Sequence, residues 1–130
     1  MSFRNIAQIA GSAMTAQTTR LNTIASNLAN AESASGNEAS TYHARKPVFS
    51  ALSGGKVQVL DVIESTEPLR KAHEPSHPLA DSEGNVFYPN VSPVAEMTDM
   101  MSASRAFQTN VEVLSRVKAM QQDLLKMGEN

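Results

Sequence analysis

The first 31 residues of the chain have the pattern of a long helix that carries almost no charge on any face. Arg4 and Arg20 are their two charged residues, and neither Asp nor Glu occurs among them. A helix with one face in water normally carries Lys and Glu on that face, whereas this segment carries Asn, Gln, Ser, Thr and Ala. Such short groups allow neighbouring backbones to approach closely. We therefore expect a helix that is packed on several sides, in an assembly rather than in a free monomer.

Apolar residues recur along this segment at alternating steps of four and three residues, the heptad spacing that holds one stripe of a helix against a partner helix. Gln17 interrupts the stripe. The residues of the stripe that we predict to make assembly contacts are Ala7, Met14, Leu21, Ile24 and Leu28.

Two asparagines near the end of the segment, Asn27 and Asn30, are three residues apart and therefore share one side of the helix. We expect their amides to hydrogen-bond to a neighbouring subunit. Local capping of the helix end is the alternative, because asparagine is common in that role.

Residues 93–130 predict a second long helix. Ser92 can cap it, and Pro93 suits the first helical position. Its apolar residues again follow a heptad, with Ser104 filling one position of the stripe. The residues predicted to make assembly contacts on this helix are Met97, Met100, Phe107, Asn110, Val111 and Leu114.

The two helical segments have similar lengths, about 43 and 50 Å at about 1.5 Å per residue, so they can lie side by side. The predicted fold is mainly α, with the N- and C-terminal helices packed as an antiparallel coiled coil and a small middle region of β-hairpin and loops. Residues 1–31 and 93–130 would form one coiled-coil core domain. Residues 32–92 would form a linker and a small β-rich region.

The strongest signal in the middle region is a β-hairpin. Residues 42–52 and 56–63 contain β-branched and aromatic residues, and Ser53-Gly54-Gly55 between them is typical of a turn. The alternation breaks within the second segment, which predicts a β-bulge or partial burial of both faces. Residues 32–41 are interpreted as a mobile connection and residues 64–80 as an extended loop.

The composition argues against several classes of function. The net charge is −2 and basic residues do not cluster, which argues against nucleic-acid binding. No cysteine is present, so disulfides and thiolate metal sites are excluded. No segment has the continuous apolar length of a membrane span, and the start of the chain lacks the pattern of a cleaved signal peptide.

The residues with catalytic or metal-binding potential form no convincing site. His73 and His77 have a helical metal-ligand spacing, but Pro75 and Pro78 oppose a helix there, so we interpret them as loop histidines. No nucleophile motif accompanies the Ser, His and Asp residues of the middle region. We predict that the protein is not an enzyme and binds neither cofactor nor metal.

Several motifs, in order along the chain, resemble those of bacterial flagellar axial proteins, the family that builds rod, hook and hook–filament junction. Ser-Asn-Leu-Ala-Asn-Ala at 26–31 resembles the signature at the end of the first helix, and residues 103–111 resemble the terminal-helix motif. Residues 42–49, 77–81 and 88–91 resemble the basal-body rod proteins of the proximal rod in particular.

This resemblance implies a structural subunit of the flagellar basal-body rod, which transmits torque from motor to hook. It implies terminal helices that form the inner tube, and contacts with other rod proteins and with copies of the chain in a helical assembly. It further implies synthesis in the cytoplasm, export by the flagellar type III apparatus without cleavage, and a final position within the periplasm. The alternatives are another flagellar axial subunit, or a soluble coiled-coil adaptor or export chaperone of the cytosol.

Overall fold

The computed structural model describes residues 2–128, which form two long helices and two small antiparallel sheets. Helix α1 spans Phe3–Ala29 and helix α2 spans Pro93–Gly128. The four strands lie between the helices in the chain. The prediction of a mainly helical protein with a small β-containing middle region is therefore confirmed.

Local hydrogen bonds explain where the two helices begin. The Ser2 hydroxyl accepts a hydrogen bond from the Asn5 N–H at 3.1 Å, which satisfies one of the free donors in the first turn of α1. Ser92 does the same for the Ala95 N–H at 3.4 Å, and Pro93 occupies the first position of α2 as predicted. α1 ends at Ala29, two residues earlier than the apolar pattern predicted.

The helices lie side by side and antiparallel. Near the start of α1, Phe3 lines one groove together with Gln121 and Leu124 of α2. Further along, Arg20 of α1 forms an ion pair with Asp99, close to the start of α2. Helix α2 is nine residues longer than α1, 36 against 27, which is about 13 Å of additional helix.

The predicted hairpin is confirmed. It consists of strand β1 (Arg45–Ala51) and strand β2 (Val57–Glu64), and the glycines of its turn have φ angles of +85° and +88°, which suit glycine. Val48 faces Asp61 and Phe49 faces Val59, so Leu60 is the extra residue of a β-bulge. This bulge accounts for the broken alternation in the sequence.

This hairpin lies along α1. At its turn end, the Ser12 hydroxyl accepts a hydrogen bond from the Val57 N–H at 3.1 Å. At its open end, the Arg45 carbonyl accepts one from the Asn27 amide at 2.9 Å. Asn27 follows Ser12 by 15 positions, which is about 22 Å along the helix and matches the length of a seven-residue strand.

A second hairpin, strand β3 (Arg70–His73) with strand β4 (Asn85–Tyr88), occupies part of the segment that the sequence predicted to be an extended loop. The loop prediction was wrong for residues 70–73. It was made because Arg-Lys-Ala-His lacks the apolar alternation by which a strand is recognised. The strand forms through its pairing with β4, whose Val86 is fully buried. Residues 32–41, predicted to be a mobile connection, are also more regular than expected. Ser35 exchanges two backbone hydrogen bonds with Phe87 of β4, at 2.8 and 2.9 Å.

Polar contacts hold the outer side of this second hairpin. The Arg70 guanidinium lies 4.2 Å from the centre of the Tyr88 ring and forms an ion pair with Glu32 at 3.1 Å. The Tyr88 hydroxyl donates a hydrogen bond to the Glu74 carboxylate at 2.9 Å. This hydrogen bond raises the pKa of Tyr88, because it stabilises the protonated hydroxyl.

Alanine substitutions at two glycines should distinguish a glycine that is needed for a close backbone contact from one that only adds flexibility. A Cβ atom at Gly36 would collide with the Leu79 carbonyl oxygen, so we expect Gly36→Ala to lower the free energy of unfolding by roughly 1–3 kcal/mol. Gly11 lies within α1 and a Cβ atom there would contact nothing within 4 Å. Gly11→Ala should therefore raise the free energy of unfolding by roughly 0.5–1 kcal/mol. Urea unfolding followed by circular dichroism measures both, and equal values for the two variants would contradict the close approach.

Candidate assembly surfaces

Helix α1 is covered on two sides within the subunit, by α2 and by the β1–β2 hairpin. Its fully buried residues are Ala10, Ala16, Thr23, Ile24 and Asn27. The remaining exposed stripe beyond the first turn is uncharged and consists of Gln8, Thr15, Thr18, Asn22, Ala25 and Ala29. The uncharged surface inferred from the sequence is thus partly used inside the subunit, and this stripe is the part that stays open.

The exposed threonines of this stripe have no free hydroxyl donor. Thr15 donates to the Gly11 carbonyl at 3.1 Å, and Thr18 donates to the Met14 carbonyl at 3.0 Å. A hydroxyl that is bonded to its own helix can be buried without losing a hydrogen bond to water. The stripe is therefore suited to contact with a protein surface.

The predicted contact residues of α1 lie mostly within the subunit. Ile24 is 2% exposed, and the others on the apolar stripe are half-buried, namely Ala7, Met14, Leu21 and Leu28. Their packing thus stabilises the subunit itself. Their contribution to contacts between subunits stays a prediction.

The predicted contact residues of α2 divide into two groups. Phe107, Asn110 and Leu114 are half-buried, whereas Met97, Met100 and Val111 are exposed, Met97 by 52%. The less exposed positions of α2 follow steps of three and four residues. The most buried of these positions lie about one residue before the positions of the predicted heptad stripe. These positions are Glu96, Asp99, Ala103, Ser104, Ala106, Phe107, Asn110, Val113, Leu114 and Val117.

The apolar residues of α2 thus point partly away from the side that is covered within the subunit, and their role in contacts between subunits stays a prediction. The reason for this orientation is the small residue at the centre of the covered side. Ala103 is fully buried, which brings the helices close, and the larger methionines occupy the outside. The amide of Asn110 is bonded locally, to the Ala106 carbonyl at 2.8 Å.

An ion pair joins the two helices. Arg20, one of the two charged residues of α1, donates to the Asp99 carboxylate and also to the Gln17 side chain at 3.3 Å. Both charged side chains are partly exposed, at 21% and 43%. Such a pair contributes about 0.2–1 kcal/mol, so its main effect is to fix which turn of α1 lies beside the start of α2.

Asn27 is the best-connected polar residue at the end of α1. Its amide nitrogen donates to the Arg45 carbonyl at 2.9 Å, and its oxygen accepts from the Arg45 N–H at 2.9 Å. The same oxygen accepts from the Tyr42 hydroxyl at 2.7 Å, and that hydroxyl lies 2.9 Å from the Ser26 hydroxyl. With 1% of its surface exposed, Asn27 connects α1 to β1 within the subunit.

Asn30 has a different function from Asn27, although both belong to the same motif. Its side-chain amide and its backbone N–H both donate to the Ser26 carbonyl, at 2.9 and 3.1 Å, and so cap the end of α1. The capping alternative thus describes Asn30, while Asn27 bonds to a distant strand of its own subunit. The structure places both amides in contacts inside the subunit, where the sequence favoured contacts between subunits.

Sequence reasoning missed a second asparagine of this kind, Asn90. Its oxygen accepts from the Ala44 N–H at 2.7 Å, and its nitrogen donates to the Glu67 carbonyl at 2.8 Å. The available signal was its place in the sequence, directly after Pro89 and three residues before Pro93, the first residue of α2. Asn27 and Asn90 together hold the consecutive residues Ala44 and Arg45.

Exposed apolar residues lie on two further surfaces. On the hairpin, Leu60, Val62 and Ile63 of β2 are exposed. On α2, the outward face and the last two turns carry Val94, Met97, Met101, Met120, Leu124, Leu125 and Met127. Methionine adapts its shape to different partners, so these surfaces are candidates for contacts with other protein chains.

Other kinds of site are not apparent in residues 2–128. No group of three or more His, Cys, Asp or Glu side chains is placed to hold a metal ion there. Neither helix within that range is long and apolar enough to cross a membrane. His77 lies in a turn and accepts a hydrogen bond from the Leu79 N–H at 3.0 Å.

Comparison with known proteins identifies the family. Residues 8–35 match the family described as flagella basal body rod protein, and residues 82–127 match the C-terminal family of flagellar basal body rod FlgEFG proteins. The flagellar basal-body rod protein FlgC of Escherichia coli O6:H1 is 50% identical over 99% of this chain and all of its own length. The chain belongs to the FlgC family of flagellar basal-body rod proteins.

More distant relatives extend this finding. FlgC of Salmonella typhimurium is 48% identical over 99% of the chain and its own full length, and FlgC of Aquifex aeolicus is 36% identical over 91% of each. FlgC-family proteins are structural subunits of the basal-body rod, so the chain is a rod subunit and not an enzyme. The full-length matches favour this function over a cytosolic adaptor or export chaperone and over other axial subunits.

The contribution of the ion pair between the helices can be measured directly. In a double-mutant cycle of Arg20→Ala and Asp99→Ala, we expect a coupling energy of about 0.2–1 kcal/mol at low salt, decreasing as salt screens the charges. Thermal unfolding of the four proteins at two salt concentrations gives this value. Additive single effects at low salt would mean that the pair does not contribute.

Proposed function

We propose that this FlgC-family chain polymerises through α1 and α2 into the proximal part of the rod, as part of the drive shaft that transmits torque from the motor to the hook. The observation that carries this proposal is a pair of exposed helix faces. The open stripe of α1 is uncharged beyond its first turn, and the outer face of α2 exposes methionine, leucine and valine. Large apolar residues exposed together, as on α2, are typical of surfaces that another protein covers.

Two different faces on one subunit suit a rod. In a head-to-tail contact, one surface of a copy meets a different surface of its neighbour, and repetition builds an open helical assembly. The α1 stripe and the outer face of α2 are two such surfaces, and the exposed apolar residues of β2 add a third. We infer that they contact other rod proteins and copies of this chain.

We further propose that α1 and α2, within residues 1–31 and 93–130, act as one core domain with coiled-coil packing, and that residues 32–92 form a separate middle region. The three- and four-residue spacing of the covered positions of α2 supports this division, as does the antiparallel course of the helices. The predicted contact residues keep this role in the proposal. Met97, Met100 and Val111 are the best candidates for contacts between subunits because they are exposed.

The proposed route to the rod is export from the cytoplasm by the flagellar type III apparatus without cleavage, followed by assembly in the periplasm. The support for this route is membership of a family whose members are named as basal-body rod proteins.

Deletion of the gene tests the proposed function. We expect basal bodies from the deletion strain to retain the membrane ring but to lack rod and hook, and complementation to restore both. Electron microscopy of purified basal bodies measures this. Complete hook–basal bodies in the deletion strain would overturn the proposal.

Substitutions on the outer face of α2 test the proposed contact. Met97→Glu combined with Met100→Glu should change subunit stability by no more than about 0.5 kcal/mol, because both side chains are exposed. Motility should be lost, because assembly would bury two unpaired carboxylates. Swimming in soft agar and thermal unfolding of the purified chain measure the two effects.

Met97→Leu combined with Met100→Leu is the matched control, because it keeps both side chains apolar and of similar volume. It should leave motility unchanged. Normal motility of the Met97→Glu, Met100→Glu variant would remove this face from the proposed contacts.

A further inference from the structure

We propose that Asn27 and Asn90 are positioning residues, whose amides fix the orientation of the middle region on the pair of terminal helices. Only the expected effect on rod assembly rests on the proposed function. The physical basis of the proposal is where the two side chains lie. Each of them joins backbone segments that are distant in the sequence, next to the points where the chain leaves α1 and returns to α2.

Asn27 acts as a substitute for a neighbouring strand. Its amide forms a donor and an acceptor bond with the same residue, Arg45, in the way that a paired strand would. Arg45 is the first residue of β1 and faces Glu64 at the far end of β2. The amide therefore occupies backbone groups of β1 at the open end of the hairpin, beside the last turns of α1.

Asn90 holds the neighbouring residue from another side. Its oxygen accepts from the Ala44 N–H, while its nitrogen donates to Glu67 in the segment between β2 and β3. Ala44 is itself buried, and its carbonyl accepts from the Ser65 N–H at 2.7 Å. Three chain segments, those before β1, after β2 and before α2, thus meet at these two amides.

The hairpin does not depend on the two amides for its own formation. Strands β1 and β2 pair through their own backbones along seven positions. What the amides add is the connection to α1 and to the segment before α2. A further polar contact to α1 lies near the turn, where Ser12 accepts from Val57. Loss of the amides should therefore release the open end of the hairpin while its strands stay paired.

The chemistry requires an amide at both positions. An amide carries a donor nitrogen and an acceptor oxygen on the same carbon atom, and each asparagine uses both. Aspartate has nearly the same shape but its carboxylate only accepts. At Asn27 it would direct a negative oxygen at the Arg45 carbonyl in a buried site, which is unfavourable. Asn27→Asp and Asn90→Asp therefore change the hydrogen bonds with little change in volume.

The chain contains no cysteine, so pairs of introduced cysteines allow specific spin labelling of the full chain. We choose Thr18→Cys on the exposed stripe of α1 and Glu64→Cys at the open end of the hairpin, where Glu64 is the exposed last residue of β2, and measure their distance by pulsed electron paramagnetic resonance. Asn27→Asp and Asn90→Asp should broaden the distance distribution. Asn22→Asp is the matched control, because Asn22 is an exposed asparagine of α1, and it should leave the distribution unchanged.

Amide hydrogen exchange supplies a second measurement that does not depend on the labels. Asn90→Leu has a side chain of similar size that cannot accept a hydrogen bond, so it removes the acceptor of the Ala44 N–H. It should speed exchange at Ala44 by about tenfold, while the paired amides of β2 stay protected. Far-UV circular dichroism checks that both helices remain formed. Unchanged distance distributions in both Asp variants, together with unchanged exchange at Ala44 in Asn90→Leu, would overturn the proposal. Equal loss of protection throughout β2 would also overturn it, since that result means unfolding rather than release of one end.

The consequence in the rod is tested by complementation of the deletion strain. Val86 is buried in the second hairpin. Val86→Ala therefore serves as a variant that loses stability while the two amides stay unchanged. We expect Asn27→Asp to fail in rod assembly at a temperature where Val86→Ala, with equal or lower thermal stability, still assembles.

Normal rods with Asn27→Asp would overturn the positioning role in assembly. Failure of the proposed function itself is distinguishable, because the deletion strain would then build complete rods whatever the labels report.

Discussion

The position of α1 between α2 and the β1–β2 hairpin is the constraint on which the rest of this structure depends. A helix can be enclosed in this way when its sides carry residues small enough for close approach, and α1 meets that condition with Ala10, Ala16 and Thr23 at its buried positions. The same lack of large side chains limits the apolar area that the subunit can bury. Hydrogen bonds from side chains to the backbone, such as those of Ser12 and Asn27, consequently have a large share in holding the hairpin on the helix.

The distribution of apolar residues on α2 follows from this arrangement. Its covered side holds Ala103 and Val117 as fully buried residues, and its methionines lie outside. A subunit built in this way has a modest core and a surface that favours contact with other chains. That balance suits the rod family to which the chain belongs, because stability is then gained on assembly.

Much of the fold could be predicted from the sequence, and the errors have physical causes. The uncharged α1, the capped start of α2 and the bulged hairpin follow local rules of charge, capping and alternation. Strand β3 was missed because its sequence has no strand pattern of its own and depends on pairing with β4. The covered side of α2 lies about one residue away from the stripe that the sequence predicted. The prediction followed hydrophobicity, which ranks methionine above alanine, whereas close helix packing favours alanine. The bonding partners of Asn27 lie 15 and 18 residues away, a distance at which no local pattern identifies them.

The threonines of the exposed α1 stripe have a consequence for recognition. Because their hydroxyls are bonded to carbonyls of their own helix, these residues present methyl groups and make no demand for a polar group at a defined place on the partner. Contact with them is decided by shape, and polar contacts with strict geometry contribute little. A surface of this kind can lie against partners that differ in sequence. In the proposed assembly it would provide tolerance between unlike subunits, where a stripe of charged residues would require one matching set of opposite charges.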